Sequence, residues 1–182
     1  NFDVAVLELP YIFGTLPGRK PVWTFLVEQI RGMKKATMYP RGGTTMVTAH
    51  QVGQAIGGAL ELNKGGKAYP IGYYNLTWIE LLTIIHKYMG VPEKKITTIP
   101  NWMYRLGARQ IMKKQKAAGL EAGLHMVKFT DLMCANTFID KELGCVPLGV
   151  EADDIDAAIG QSVTLCLQVL DGKTDTIDMK GE

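Results

Sequence analysis

Seven residues, Asp3–Leu9 (DVAVLEL), constrain this chain more than any other stretch. Side chains alternate across a strand, so Val4 and Val6 share one face and Ala5, Leu7 and Leu9 the other. Both faces are apolar. A strand carries that pattern when its sheet is covered on both sides, as parallel sheets are. Pro10 has no N–H to donate to a ladder, and the strand ends there.

Lys67–Gly72 (KAYPIG) reads as a second short strand, and the rest of the chain reads mainly as helix. Phe13–Lys20 is a loop by its Gly and Pro content, and Pro21 suits the first turn of a helix running to about Gly32. Tyr39–Thr45 reads as a turn. The segment after it starts extended, becomes helical near His50 and continues to Leu62. In NLTWIELLTIIHKYMG, Thr77 and Glu80 have capping-box spacing, Ile79, Leu82, Ile85 and Met89 form a stripe, and Gly90 ends the helix. Further helices are predicted from Pro100 to about Lys116 and after Gly119, with one turn capped by Asp140. In the last helix Glu151, Asp153 and Asp154 suit the positive end, and Ile155, Ile159, Val163, Cys166 and Leu170 form the buried stripe. The polar tail from Asp171 is expected to fray. Two strands flanking a helix, with helices after them, predict the far end of an α/β sheet followed by a helical lobe.

The 182 residues suffice for one domain with a core. A net charge of +2 does not by itself argue for nucleic acid or membrane. No apolar run approaches the roughly 20 residues of a spanning helix. Neither nucleic acid nor a membrane is therefore expected as a partner. Cys134, Cys145 and Cys166 have neither the spacing nor the histidines of a zinc site, so no metal is expected, and an odd count suits a cytoplasmic compartment. The sequon Asn75-Leu76-Thr77 is read as chance.

Four segments follow in order: LELPYIFG, TTMVTAHQVGQAIGGALE, GGKAYPIGYYNLTWIELLTII and FIDKELGCVP. Together, from about Val4 to Leu170, they resemble the C-terminal half of extended short-chain dehydrogenase/reductases, the NAD-dependent epimerase/dehydratase family. The resemblance implies an α/β chain: the helix-rich C-terminal part of an NAD(P)-binding Rossmann-type fold, with a small remnant parallel sheet. Residues 1–20 would supply the terminal Rossmann strand and active-site loop. Residues 21–182 would be mainly the substrate-binding lobe, with 67–72 returning to the sheet. The family's glycine-rich pyrophosphate turn and Tyr-x-x-x-Lys pair do not occur in these residues. The expectation is a C-terminal portion of a longer protein, without catalytic residues of its own and inactive alone. NAD or NADP would bind the parent, and the missing N-terminal cofactor half would be a partner. An exposed strand edge where that half is absent predicts a homodimer.

The resemblance places Pro10, Tyr11 and Ile12 beside the nicotinamide, although Pro10 equally serves to end a strand. Phe13, Arg19, Lys20, Arg41 and His50 are the candidates for contact with a small-molecule substrate. The chain departs from the family at Leu9, where arginine is usual, and at His50 and Gln51, where acids are usual. Thr44-Thr45 replace an arginine that holds nucleotide-sugar pyrophosphate, which favours a sugar-like or smaller carbonyl or hydroxyl substrate. His50 is a candidate proton carrier, histidine being the side chain suited to that work near neutral pH, but a histidine at a helix start is more often structural.

Two other functions stay open. A relative of the same fold can act as a dinucleotide-sensing regulator without catalysis. Arg105, Arg109, Lys113 and Lys116 recur at helical spacing, a pattern that binds nucleic acid, an anionic membrane or phosphate, or simply faces water, the favoured reading. Gly53, Gly57, Gly58 and Ala59 are expected to thin a helix for packing against the sheet, and Trp23, Trp78 and Trp102 to lie in the core or a pocket wall.

Overall fold

In the computed structural model, which describes residues 3–119 and 125–174, the opening strand is β1 (Ala5–Glu8). It is followed across Leu9-Pro10 by β2 (Tyr11–Phe13). Helix α1 (Thr24–Gly32) leads to β3 (Thr37–Pro40), β4 (Gly43–Thr48) and α2 (Ala49–Leu62). Then come β5 (Lys67–Pro70), β6 (Tyr74–Thr77), α3 (Trp78–Tyr88), β7 (Ile96–Ile99) and α4 (Asn101–Ala117). Helix α5 (Met126–Met133), β8 (Asn136–Thr137), two short 3-10 turns and α6 (Ile155–Leu170) complete the order.

The expected parallel pairing of the first strand with Lys67–Gly72 is present: β1 runs beside β5, with Ala5 opposite Lys67 and Glu8 opposite Pro70. Helix α2 forms part of the crossover between them. A second sheet centres on β4, which is buried along its whole length. β2 pairs with it in parallel and β6 antiparallel, while β8 adds a short parallel pairing at Gly43 and Thr44. A third parallel pair joins β3 to β7.

Two apolar clusters hold these pieces. The larger collects Phe13, Met46, Val27, Ile30, Trp78, Leu82, Ile159 and Val163, from β2, β4, α1, α3 and α6. The smaller joins Val47, Ala55, Tyr69, Ile71, Cys145 and Leu148 beneath α2.

The predicted capping box of α3 is complete, with the Thr77 side chain accepting from Glu80 N–H and Glu80 accepting from Thr77 N–H. Asp154 caps α6 and Asp140 caps the first 3-10 turn. Several expectations are corrected. Tyr39–Thr45 is not one long turn. Tyr39 and Pro40 end β3 and Gly43 begins β4, because both strands find partners distant in sequence. Ile79 is exposed, and the buried face of α3 is Trp78, Leu81, Leu82, Ile85 and His86. The Trp78 indole takes the inward place by donating to the Met133 carbonyl at 2.7 Å. Helix α1 begins at Thr24, three residues after Pro21, whose carbonyl accepts from the Thr24 hydroxyl. Of the glycines in α2, Gly58 alone is crowded, and against the Leu148 carbonyl of a 3-10 turn rather than a sheet. Trp102 is exposed. The helix expected after Gly119 is α5; residues 120–124, and the tail from 175, lie outside the described residues.

Candidate functional site

The carboxyl ends of parallel strands are where α/β folds place ligands. Here β2 ends at Phe13, and a cleft of about 630 Å³ opens beside it. Its walls include Pro10, Tyr11, Ile12, Arg19, Lys20 and Trp23. Five of the eight residues singled out from the sequence are thus brought together. The other three stand apart from the lining. Phe13 is 1% exposed, stacked on Trp23 at 4.6 Å. Arg41 sits exposed in the tight turn between β3 and β4. His50, also exposed, is in the first turn of α2, its Nδ1 3.6 Å from the Asp153 carboxylate.

The aromatic wall is fixed by specific contacts. Tyr11 lies tilted between Trp23 and Trp78, at 5.1 and 5.7 Å. Its hydroxyl meets the Met133 sulfur at 3.9 Å, and burial raises its pKa. Trp23 donates its indole N–H to the Ile12 carbonyl at 2.8 Å. Tyr39 and Tyr104 are likewise shifted upward, first by burial and then by neighbouring ionisable groups. A phenol that does proton work near neutrality needs the opposite shift. All three rings pack in or against the larger apolar cluster.

The loop that carries the cations hangs from Gly14. Its N–H donates to the Ser162 hydroxyl of α6 at 2.9 Å, and its carbonyl lies 3.1 Å from the same oxygen. Gly14 has φ +144°, and a Cβ there would come within 2.8 Å of the Ala49 side chain. Only glycine meets both demands. A turn follows, in which Arg19 N–H bonds the Leu16 carbonyl. Arg19 is exposed on the rim and Lys20 half-buried.

Gln51 explains one of the departures noted above. It is fully buried, its side-chain oxygen accepts from Thr48 N–H, and its amide donates to the Glu151 carbonyl at 2.8 Å. An acid could make the first bond but, when ionised, not the second. Nearby, Thr48 donates to Asp153 at 2.5 Å. That bond, the Asp154 N–H and then His50 hold the Asp153 carboxyl below its usual range. Thr48 and His50, at the start of α2, thus both face Asp153 in the segment before α6.

Trp23 lies in the cleft wall, one of the two places expected for it, whereas sequence reasoning missed Ser162 as the loop's anchor. Ser162 was detectable as a lone hydroxyl within the buried stripe Ile159, Val163 and Cys166. Among the described residues no cluster of His, Cys, Asp and Glu could hold a metal, and no helix is long and apolar enough to cross a membrane. The three cysteines are free, and burial raises each thiol.

Neither a protein-family model nor a curated protein sequence matches the chain. Solved structures do. A structure of gox2253 is 17% identical, with a TM-score of 0.64, over 93% of this chain and 50% of that one. PA4631 from Pseudomonas aeruginosa, described as a nucleoside-diphosphate-sugar epimerase, is 16% identical, with a TM-score of 0.63, over 94% and 49%. The Bordetella bronchiseptica enzyme WbmG, solved with NAD and UDP, is 12% identical, with a TM-score of 0.57, over 98% and 47%. The chain spans about half the length of these structures, and over that span it has the Rossmann-type α/β fold of the epimerase structures.

Proposed function

We propose that the chain is the substrate-binding part of an NAD(P)-dependent epimerase, dehydratase or reductase acting on a sugar-like or small carbonyl or hydroxyl substrate. The observation that carries this reading is the cleft at the end of β2, where Pro10, Tyr11, Ile12 and Trp23 form an apolar wall and Arg19 and Lys20 add cations. The fold shared with NAD-binding epimerases supports it. The wall suits the flat face of a nicotinamide ring. These residues do not suit the pyrophosphate, because the 182 residues contain no glycine-rich turn following a strand and preceding a helix. The cofactor's phosphates and the proton-transfer pair would come from a separate cofactor-binding half. Bound there, the cofactor supplies hydride transfer. This chain's part is to orient the substrate, exclude water from one side and attract an anionic group with Arg19.

The test is a titration with nicotinamide mononucleotide and with NAD, followed at the Trp23 indole N–H and the Ile12 amide by NMR. Millimolar binding of both, with shifts centred on the cleft, is expected. A micromolar dissociation constant for NAD, or shifts that avoid Tyr11, Ile12 and Trp23, would overturn the reading.

A further inference from the structure

Helix α4 is unlike the others. Over Asn101–Ala117 it carries Arg105, Arg109, Lys113, Lys114 and Lys116 and no carboxylate. It rests on α5, and among its described side chains Ala108 is buried, with Tyr104 and Met112 half-buried. Arg105 is held aside by Asp131 of α5 at 2.8 Å. The other four cations have no ion-pair partner among the described residues.

The outward face is not simply polar. Trp102, Leu106, Arg109 and Lys113 follow one another at spacings of four, three and four, which places them on one line along the helix. At the start of that line Trp102 is 65% exposed and Leu106 51%, with Met103 beside them at 46%. Large apolar side chains therefore project from the first two turns, and cations from the turns after them.

We propose that α4 is a membrane-surface helix. It lies on an anionic lipid leaflet, with Trp102, Met103 and Leu106 in the headgroup boundary and Arg109, Lys113, Lys114 and Lys116 against lipid phosphates. Interfacial helices combine a large apolar residue set with Lys and Arg in this way. Trp is well suited to the boundary, being apolar in its ring and polar at its N–H. The other occupants fit less of the face. A second copy on a two-fold axis would bring cations against cations. A nucleic acid would engage the cations and stack on Trp102 but would leave Leu106 and Met103 without a use. The absence of a spanning run led to the expectation of no membrane partner. Lying on a surface requires no such run, and the proposal replaces that expectation.

The test is co-sedimentation of the protein with phosphatidylglycerol–phosphatidylcholine vesicles and with vesicles of phosphatidylcholine alone, beside a titration with single-stranded oligonucleotide. Binding to the anionic vesicles is expected, with a blue shift of tryptophan emission and loss at high salt. Arg109→Gln and Lys113→Gln should each weaken binding about fivefold. The pair Trp102→Ala and Leu106→Ala should weaken it about tenfold while leaving the far-UV circular dichroism unchanged. The proposal falls if anionic vesicles do not sediment the protein at low salt. It falls equally if the Trp102→Ala, Leu106→Ala protein binds them as well as the parent, or if the oligonucleotide binds more tightly than the vesicles.

Discussion

The Ser162 hydroxyl accepts the backbone N–H of Gly14 at 2.9 Å, across 148 residues of sequence. Its own proton faces the Gly14 and Ala158 carbonyls, at 3.1 and 3.0 Å. Replacing Ser162 by Ala leaves a confined N–H without a partner, which costs about 1–3 kcal/mol. Ser162→Ala should lower the urea midpoint accordingly and speed exchange of the Gly14 amide more than that of amides in α3.

Gln51 uses both ends of its amide. Gln51→Glu keeps the bond to Thr48 but turns an anion toward the Glu151 carbonyl in a fully buried site. A loss of about 2–4 kcal/mol is expected at neutral pH. Protonation restores a donor, so the deficit should shrink as pH falls. Thermal melts of both proteins from pH 8 to 5 check this, and a deficit that grows on acidification would contradict it.

Two glycines of α2 should respond oppositely to a methyl group. At Gly58 a Cβ would stand 1.9 Å from the Leu148 carbonyl, and at Gly53 nothing lies within 4 Å. Gly58→Ala should cost about 1–3 kcal/mol through overpacking. Gly53→Ala should gain about 0.5–1 kcal/mol from helix propensity. Chemical denaturation of the two variants decides.

His86 is buried between three segments. Its Nδ1 faces the Lys94 carbonyl at 3.1 Å, which can only accept, so Nδ1 carries the proton and Nε2 accepts from the Thr37 hydroxyl at 2.8 Å. Burial is the main cause holding its pKa below the ordinary value. A lowered folded-state pKa means that the unfolded chain takes up the proton first. The stability linked to His86 is therefore full above about pH 6.5 and falls as pH drops below it. Denaturation midpoints of the parent should decline from pH 7.5 to 5.5 more steeply than those of His86→Gln.

Among the described residues β1 pairs on one side only, with β5. Val4 and Val6 are 54% and 51% exposed. Asp3 does not guard this edge, because its carboxylate accepts from the Gly65 and Gly66 N–H groups at 2.7 and 3.0 Å. Self-association through β1 is expected, most simply as a two-fold dimer. Light scattering should show Val6→Lys shifting the protein toward monomer. A parent that stays monomeric at high concentration rules the dimer out.

Elements whose signals are local were legible in the sequence. The α3 and α6 caps lie within three residues of what they cap, and the apolarity of β1 announced a parallel strand, although the cover expected on both faces is missing where Val4 and Val6 stand exposed. The β3–β7 pair was not legible, because each strand is four residues long and neither is defined without the other. Trp78 and Ile79 are adjacent and both apolar, and periodicity alone does not decide which turns inward. The Met133 carbonyl does. At the cleft, Pro10, Tyr11, Ile12, Arg19 and Lys20 were found because the family resemblance pointed to this one stretch, whereas the Ser162 anchor joins distant residues.

That anchor also orders events during synthesis. The ribosome releases Gly14 early and Ser162 near the end of these residues, so no emerging chain can close the bond between them until α6 has formed. β1 must similarly wait for β5, and β2 for β4. Contacts so distant in sequence are slow to form, because chain closure comes before any reward. The stretch that lines the cleft therefore leaves the tunnel well before α6, which anchors its loop. Until α6 forms, Tyr11, Phe13 and Trp23 lack the part of their apolar cluster that Ile159 and Val163 supply.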